Sequence, residues 1–318
     1  MTHRIVLAIV GPTASGKTPL SLLLAGRLNG EIVSADSRQI YKYLDIGTAK
    51  PTQADRKRVK HHFVDVLEPD EEYSAGQFGK VARGVVRDIL SRKKLPMLVG
   101  GSGLYVKSVI DGLFEGPGKD PDVRARLEEQ LAREGVESLF AVLKKVDPSG
   151  AGKMGEVKSR RLIRALEVYY ITGKPISEFH AEQETKPDFK TIQVGLGWGR
   201  EELYDRINQR VDRMISEGLV DEVRELAAKG YDRRVNALNT VGYKELFDFL
   251  EGSRNLEETI SLIKRNTRRF AKRQLTWFRA DKRIRWISMS PTKSLTDAAH
   301  EVEEILDRHG LKMRRKAR

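Results

Sequence analysis

The octapeptide GPTASGKT at positions 11–18 has the residue types and spacing of a phosphate-binding loop: a glycine, four residues, then Gly16, Lys17 and Thr18. Glycines let backbone N–H groups converge on phosphate oxygens, Lys17 brings a positive charge, and the Thr18 hydroxyl can sit on a Mg2+ ion shared with the phosphates. The loop leaves open whether those phosphates belong to ATP, GTP or another diphosphate. A second chemical candidate is Asp36, in SADSRQIYKYLDIGTAKP at 34–51. A carboxylate at the end of a strand beside such a loop can take a proton or hold a metal through water.

A nucleotide hydrolase would add an apolar strand ending in Asp as a separate Mg2+ partner. Here LPMLVGG at 95–101 ends in glycines, and Asp65 falls inside the run HHFVDV, where a structural role is expected. Two chemistries fit what is present. One is a small-molecule kinase in which Asp36 deprotonates an acceptor hydroxyl. The other is a transferase with a diphosphate-ester donor, in which the loop holds pyrophosphate as leaving group and Asp36 activates the nucleophile.

A third feature bears on the acceptor. The segment KRNTRRFAKR at 264–273 carries six basic residues and no acid. Plotted at about 100° per residue, Arg265, Arg268, Arg269, Lys272 and Arg273 gather on one side, and Ile260, Ile263, Phe270, Gln274, Trp277 and Phe278 on the other. Trp277 and Phe278 therefore read as core, and the basic side as a surface that follows nucleic-acid phosphates. The whole chain agrees, with 58 Lys plus Arg against 45 Asp plus Glu, a formal net charge of +13 and a pI near 9.7.

These residues need a frame. IVLAIV at 5–10 reads as the strand that feeds the loop, and LSLLLAGRL at 20–28 as the helix that leaves it, with Pro19 in its first turn. EIVSAD at 31–36, HHFVDV at 61–66 and LPMLVGG at 95–101 read as further strands, with a helix at 74–91 between the last two. The fold class is α/β, a mostly parallel sheet flanked by helices. The phosphate loop, SADSRQIY and GGSGLY should then converge beyond the carboxyl ends of the strands. From 116 the pattern is helical until TIQVGLGW at 191–198 resumes the sheet, and long helices follow at 201–229 and 256–279. The expected domains are a core of 1–115 and 190–318 and a helical insertion of 116–189. The tail KMRRKAR is expected to be disordered.

With 318 residues the chain can form one or two domains. No apolar run approaches the roughly 18 residues of a membrane span, and the first apolar stretch is too short for a signal peptide. Zero cysteines exclude disulfides, cysteine zinc sites and thiol nucleophiles, and suit the cytoplasm. His61 and His62 read as structural, since no other histidine lies at ligand spacing.

The set GPTASGKT, SADSRQIYKYLDIGTAKP, LVGGSGLYVKSVIDGL, DPDVRARLEEQ, RRLIRALEVYYITGKPIS, NALNTVGYKEL and IKRNTRRFAKRQLTWFR resembles the bacterial tRNA dimethylallyltransferases, or tRNA isopentenyltransferases. The motifs run in family order from 11 to about 279. The resemblance implies a P-loop NTPase-like core and transfer of a dimethylallyl group from dimethylallyl diphosphate to N6 of adenosine 37 in tRNA, with Mg2+ and release of pyrophosphate. Gly11, Pro12, Thr13, Ala14, Ser15, Gly16, Lys17 and Thr18 would then bind an isoprenoid diphosphate through an ATP-binding type of loop. By motif, Asp36 corresponds to the general base, Asp36, Ser37, Arg38 and Gln39 to a segment touching the target nucleotide, and Thr18 and Arg210 to residues engaging the pyrophosphate. Ser102, Arg124, Arg160, Arg161, Leu162, Ile163 and Arg164 correspond to tRNA-binding positions that grip the anticodon stem-loop.

The chain departs from the family at GEVKSRR, 155–161, and at Pro19. A monomer without membrane attachment is expected. The alternatives are an adenylate (AMP or ATP) dimethylallyltransferase, which has no use for the basic ridge, a small-molecule kinase, and a non-catalytic RNA-binding module, which would not need Asp36.

Overall fold

The computed structural model describes residues 4–114, 116–181 and 187–311. The tail at 312–318 lies outside the described residues. Two compact units are present, Met1–Ile110 with Pro187–Arg318, and Asp111–Lys186. Their junctions precede the expected 116 and 189 by a few residues.

The first unit opens with β1 (Ile5–Val10), α1 (Lys17–Leu28), β2 (Gly30–Ser34), α2 (Gln53–Arg58), β3 (His61–His62), α3 (Ala75–Ser91), β4 (Leu95–Gly100) and α4 (Gly103–Ile110). In the second unit follow α5 (Pro121–Val146), α6 (Pro148–Lys153), α7 (Ser159–Thr172) and α8 (Ile176–Ala181). The first unit resumes with β5 (Lys190–Gly197), α9 (Arg200–Ser216), α10 (Leu219–Ala228), α11 (Tyr243–Leu250), α12 (Leu256–Ala280), β6 (Arg285–Ser288) and α13 (Leu295–Asp307).

The strands form one parallel sheet in the order β3-β2-β4-β1-β5-β6. β1 is apolar throughout because both of its faces are covered. Val6, Ala8 and Val10 share a core with Phe78, Val86 and Tyr105 from α3 and α4, whereas Ile5, Leu7 and Ile9 pack with Leu20, Leu24, Val302 and Leu306 from α1 and α13. Neighbouring strands on β1 are β4 and β5, with Leu7 opposite both Met97 and Ile192. The carboxyl ends of β2, β4 and β1 therefore lie side by side, and each is followed by one of the polar segments picked out in the sequence.

Three expectations change. HHFVDV pairs only through His61 and His62, because Phe63 (φ 63°) and Asp65 (φ 56°) take left-handed backbone that no strand continues through. The helix expected over 201–229 is two, broken at Gly218 with φ 98°. Trp277 is not core, since 42% of it is exposed.

The second unit has its own core of Leu127, Leu139, Leu143, Leu162, Ile163 and Leu166. α5 is bent at Gly135, φ 81°. Gly155, at the departure from the family pattern, takes φ 58° in the turn before α7. The Glu167 carboxylate is buried among these helices. Burial alone would raise its pKa, but Arg124 (Nε 3.1 Å, Nη2 2.9 Å) and Arg164 (Nη1 2.7 Å) donate to it and hold it below the ordinary value. Glu167→Ala should lower the unfolding free energy by about 3 kcal/mol, because two arginines lose the partner they were packed around. Urea denaturation followed by circular dichroism would measure it.

Candidate active site

The loop that leaves β1 is shaped by three unusual backbones. Gly11 has φ 144°, and a β-carbon there would stand 3.2 Å from the Leu196 carbonyl oxygen; Ala14 (φ 62°) and Gly16 (φ 96°) are left-handed. Lys17 opens α1 and folds back so that Nζ donates to the Pro12 carbonyl at 2.6 Å. Burial and the nearby Arg210 guanidinium lower its pKa to about 7 against the opposing pull of Asp36. Lys17 forms no ion pair among the described residues, so an anion entering the loop would relieve that cost. The Ser15 hydroxyl is buried without a hydrogen-bond partner, and the Thr18 hydroxyl makes no hydrogen bond among the described residues.

The outside of the loop is tied down by its carbonyls. Trp198 Nε1 donates to the Ser15 carbonyl at 2.9 Å, Arg206 Nε to that of Ala14 at 2.9 Å, and the Arg206 guanidinium lies 4.2 Å from the Trp198 ring centre. Gln274 of α12 holds a third point, its amide oxygen accepting from the Thr13 N–H at 2.8 Å while its Nε2 donates to the Gly101 carbonyl at 2.9 Å. Gly101 must be glycine for this, since a β-carbon would stand 2.3 Å from Nε2. In sequence Gln274 sat on the apolar side of its helix, and a lone amide on an apolar stripe was the available signal. Gln274→Ala should lower the unfolding free energy by about 1–3 kcal/mol, because it strands the Thr13 N–H and Gly101 C=O that shape the loop. Urea denaturation followed by circular dichroism would measure it.

Asp36 follows β2. Its Oδ1 accepts from the N–H groups of Arg38 (2.9 Å) and Gln39 (3.4 Å), which orients the carboxylate. Lys17 and Arg210 both feel its charge. The end of β4 supports the same segment: Ser102 Oγ accepts from the Ser37 N–H at 3.0 Å and donates to Ser37 Oγ at 3.2 Å, and the Ser102 N–H meets the Ala35 carbonyl at 3.2 Å. The three segments converge as the sequence implied.

Gln39 and Arg210 are anchored on a fourth segment, the loop 44–49. Gln39 Nε2 donates to the Thr48 and Ala49 carbonyls at 3.2 Å, and Arg210 Nη2 to that of Thr48 at 3.4 Å. That loop is held in turn by Glu222, whose carboxylate accepts from the N–H groups of Asp45, Ile46 and Gly47 (3.0, 2.7 and 3.1 Å) and from Tyr243 Oη at 2.6 Å. Asp65 pairs with Lys50 and Arg56, the structural role expected of it. His62 bonds Glu31 at 2.9 Å and His61 the Val59 carbonyl at 2.7 Å.

Residues 39–281 match the profile of the family described as IPP transferase, and residues 4–72 that described as isopentenyl transferase. The chain belongs to the IPP transferase family. The chain is 46% identical to the tRNA dimethylallyltransferase of Pelotomaculum thermopropionicum, covering 93% of this chain and 95% of that one. It resembles the crystal structure of the full-length tRNA isopentenylpyrophosphate transferase of Bacillus halodurans, with TM-score 0.70, 40% identity, and 96% and 98% of the two chains covered. It also resembles a eukaryotic dimethylallyltransferase caught acting on tRNA, with TM-score 0.78, 27% identity, and 98% and 81% covered. The fold is thus the P-loop NTPase-like α/β fold of the IPP transferases, and the chain is an enzyme of the prenyltransferase class.

In this IPP transferase the remaining site candidates divide by exposure. Lys264 pairs with Asp212 at 2.6 Å and Arg268 donates to Asn208 at 2.6 Å, so two members of the basic ridge fasten α12 to α9. Arg265, Arg269, Lys272 and Arg273 are exposed. In the second unit Arg160 and Arg161 are exposed, Arg124 and Arg164 are committed to Glu167, and Leu162 and Ile163 are buried. The side chains of Leu162 and Ile163 are therefore core rather than free for RNA, because their alternation with the arginines on α7 places them on its inner face.

Among the described residues no group of three or more His, Cys, Asp or Glu could cage a metal. The donor set nonetheless fits Mg2+, which takes one or two protein oxygens with the rest from phosphates and water. The Thr18 hydroxyl, without a hydrogen bond among the described residues and at the start of α1, and the Asp36 carboxylate, whose charge reaches Lys17, are oxygens of that kind. No helix among the described residues is long and apolar enough to cross a membrane.

Proposed function

We propose that the chain is a tRNA dimethylallyltransferase that transfers the dimethylallyl group of dimethylallyl diphosphate to N6 of adenosine 37 and releases pyrophosphate. The observation that carries this is that the charge of Asp36 acts on both Lys17 of the phosphate loop and Arg210. One carboxylate and two cations within electrostatic reach of each other suit a reaction that deprotonates a nucleophile while a diphosphate leaves.

An adenine N6 amine is a poor nucleophile because its lone pair is delocalised into the ring. As N6 bonds to C1 of the prenyl group and the C1–O bond breaks, the amine sheds a proton, which Asp36 accepts. The departing pyrophosphate gathers negative charge that the loop amides, Lys17 and Arg210 stabilise. Mg2+ held through Thr18 would supply further charge neutralisation on the diphosphate oxygens. Ser37, Arg38 and Gln39, steadied by Ser102 and the Thr48 carbonyl, line the approach of the target base, which leaves its stack to reach them. Arg160 and Arg161 of the second unit and the exposed arginines of α12 bind the anticodon stem-loop, with Arg124 and Arg164 in supporting positions. The enzyme works in the cytoplasm, as a monomer.

The test mixes enzyme, Mg2+ and unmodified tRNA with labelled dimethylallyl diphosphate or labelled ATP, then digests the RNA. The expected result is label on N6 of adenosine 37 from the prenyl donor only. Label on free AMP, or phosphate moved from ATP to a small acceptor, would overturn the assignment.

A further inference from the structure

α12 carries two aromatic rings that it does not bury. Trp277 is 42% exposed and Phe270 38%. Seven residues are nearly two helical turns, so both rings stand in one column, at the border between the buried face and the basic ridge. The Arg273 guanidinium lies 5.8 Å from the Phe270 ring centre.

Single exposed hydrophobic residues are ordinary. Trp277 differs in having a made seat close to the reacting groups. Its indole lies so tightly on Gly103 that a β-carbon there would stand 2.2 Å from Cδ1 and Nε1. Any other residue at 103 would lift the ring. Gly103 directly follows Ser102, whose hydroxyl holds Ser37, the neighbour of Asp36. The indole N–H makes no hydrogen bond among the described residues. Arg273, one turn before it, and Arg269, two turns before it on the same side of the helix, are exposed and form no ion pair there either. A flat ring fixed on one face, open on the other and flanked by unpaired cations is the arrangement that binds unpaired nucleotides, the ring taking a base and the cations the backbone.

We propose that Trp277 is a stacking platform for a nucleobase of the anticodon loop that flanks the target adenosine, an inference that rests on RNA being the acceptor. When the target base leaves its stack, the neighbouring base loses a partner, and the indole replaces it. Arg269 and Arg273 hold the adjoining phosphates.

The experiment compares wild type, Trp277→Phe and Trp277→Ala, measuring stem-loop binding by fluorescence anisotropy, pyrophosphate binding by calorimetry, and KM and kcat for the stem-loop. Loss of a stacked base predicts a rise of about tenfold or more in stem-loop Kd and KM for Trp277→Ala, with pyrophosphate affinity unchanged and Trp277→Phe within a few-fold of wild type. A set of stem-loops, each with one abasic loop position, should contain one RNA for which Trp277→Ala adds no further penalty. That RNA identifies the stacked base. Unchanged stem-loop affinity in Trp277→Ala, equal loss in Trp277→Phe, pyrophosphate affinity falling in step, or penalties that add at every abasic position would each overturn the proposal. If wild-type enzyme binds no stem-loop, the acceptor assignment itself fails, which is a different result from all of these.

Discussion

Asp36→Asn is expected to lower kcat by about 100- to 10,000-fold and to leave stem-loop and pyrophosphate affinities within a few-fold of wild type. Asparagine keeps an oxygen for the Arg38 and Gln39 N–H groups, so the turn after β2 survives. What is lost is the carboxylate proposed to accept the proton from N6. Asp36→Ala removes the cap as well and should behave the same in kcat with a further loss of stability. Single-turnover prenyl transfer measures the first effect, and titration of the two ligands checks that binding persists. A fully active Asp36→Asn enzyme would take this carboxylate out of the chemistry.

Lys17→Met should weaken pyrophosphate binding by about 10- to 100-fold, the worth of a charge-assisted bond to a desolvated anion. The accompanying pH effect is more diagnostic. In the folded protein without anion the Lys17 pKa is lowered from 10.5 to about 7 by burial and by Arg210. Between those values the unfolded chain carries a proton that the folded chain lacks, so stability rises with pH across this window. Below about pH 7 both states are protonated and the folded state bears the full penalty of an enclosed cation. Lys17→Met should therefore melt higher than wild type at pH 6 in the absence of diphosphate, with the gap closing as the pH approaches 10. Differential scanning calorimetry over that range is the measurement. Binding of pyrophosphate restores the proton, so calorimetry at pH 8 in buffers of different ionisation enthalpy should show uptake of close to one proton in wild type and none from this site in Lys17→Met.

The phosphate loop and its strand were legible because the motif and the apolar run IVLAIV are contiguous, and a strand buried on both faces leaves an unbroken apolar signature. The convergence of three strand ends also followed from the α/β pattern alone. Other parts depended on backbone geometry that residue types do not announce. HHFVDV has β-branched and aromatic residues, yet Phe63 and Asp65 turn left-handed so that Asp65 can meet Lys50 and Arg56. Gly218 is an isolated glycine in an amphipathic pattern, and only its φ of 98° shows that it ends α9. β6 and α13 escaped notice because β6 is four residues long with Ile287 alone buried.

Within the site, the motif resemblance named Arg124, Leu162, Ile163 and Arg164 as a group facing RNA. The structure divides them, because a helix places neighbouring residues on different faces. Glu222 carried no signal in the sequence and Gln274 only that of a lone amide on an apolar stripe, since their roles are made by distant backbone: Asp45, Ile46 and Gly47 for one, Thr13 and Gly101 for the other. Trp277 followed the apolar side of its helix in the plot and still lies at its open edge. A periodicity assigns a face but not where the covering layer stops.

The position of β1 in the sheet sets a delay in how the chain is made. β1 lies between β4 and β5, and Ile5 finds its partner only at Lys190, after the whole of the second unit has been synthesised. At ribosomal rates of roughly 5–20 residues per second, one edge of the strand that carries the phosphate loop waits on the order of ten seconds or more for β5. During that interval an apolar edge with open hydrogen-bonding groups is exposed while the helices of the inserted unit, whose contacts are local, have time to form. The yield of active enzyme in the cell should thus respond to translation speed through the insertion, even for codon changes that alter no residue of the site.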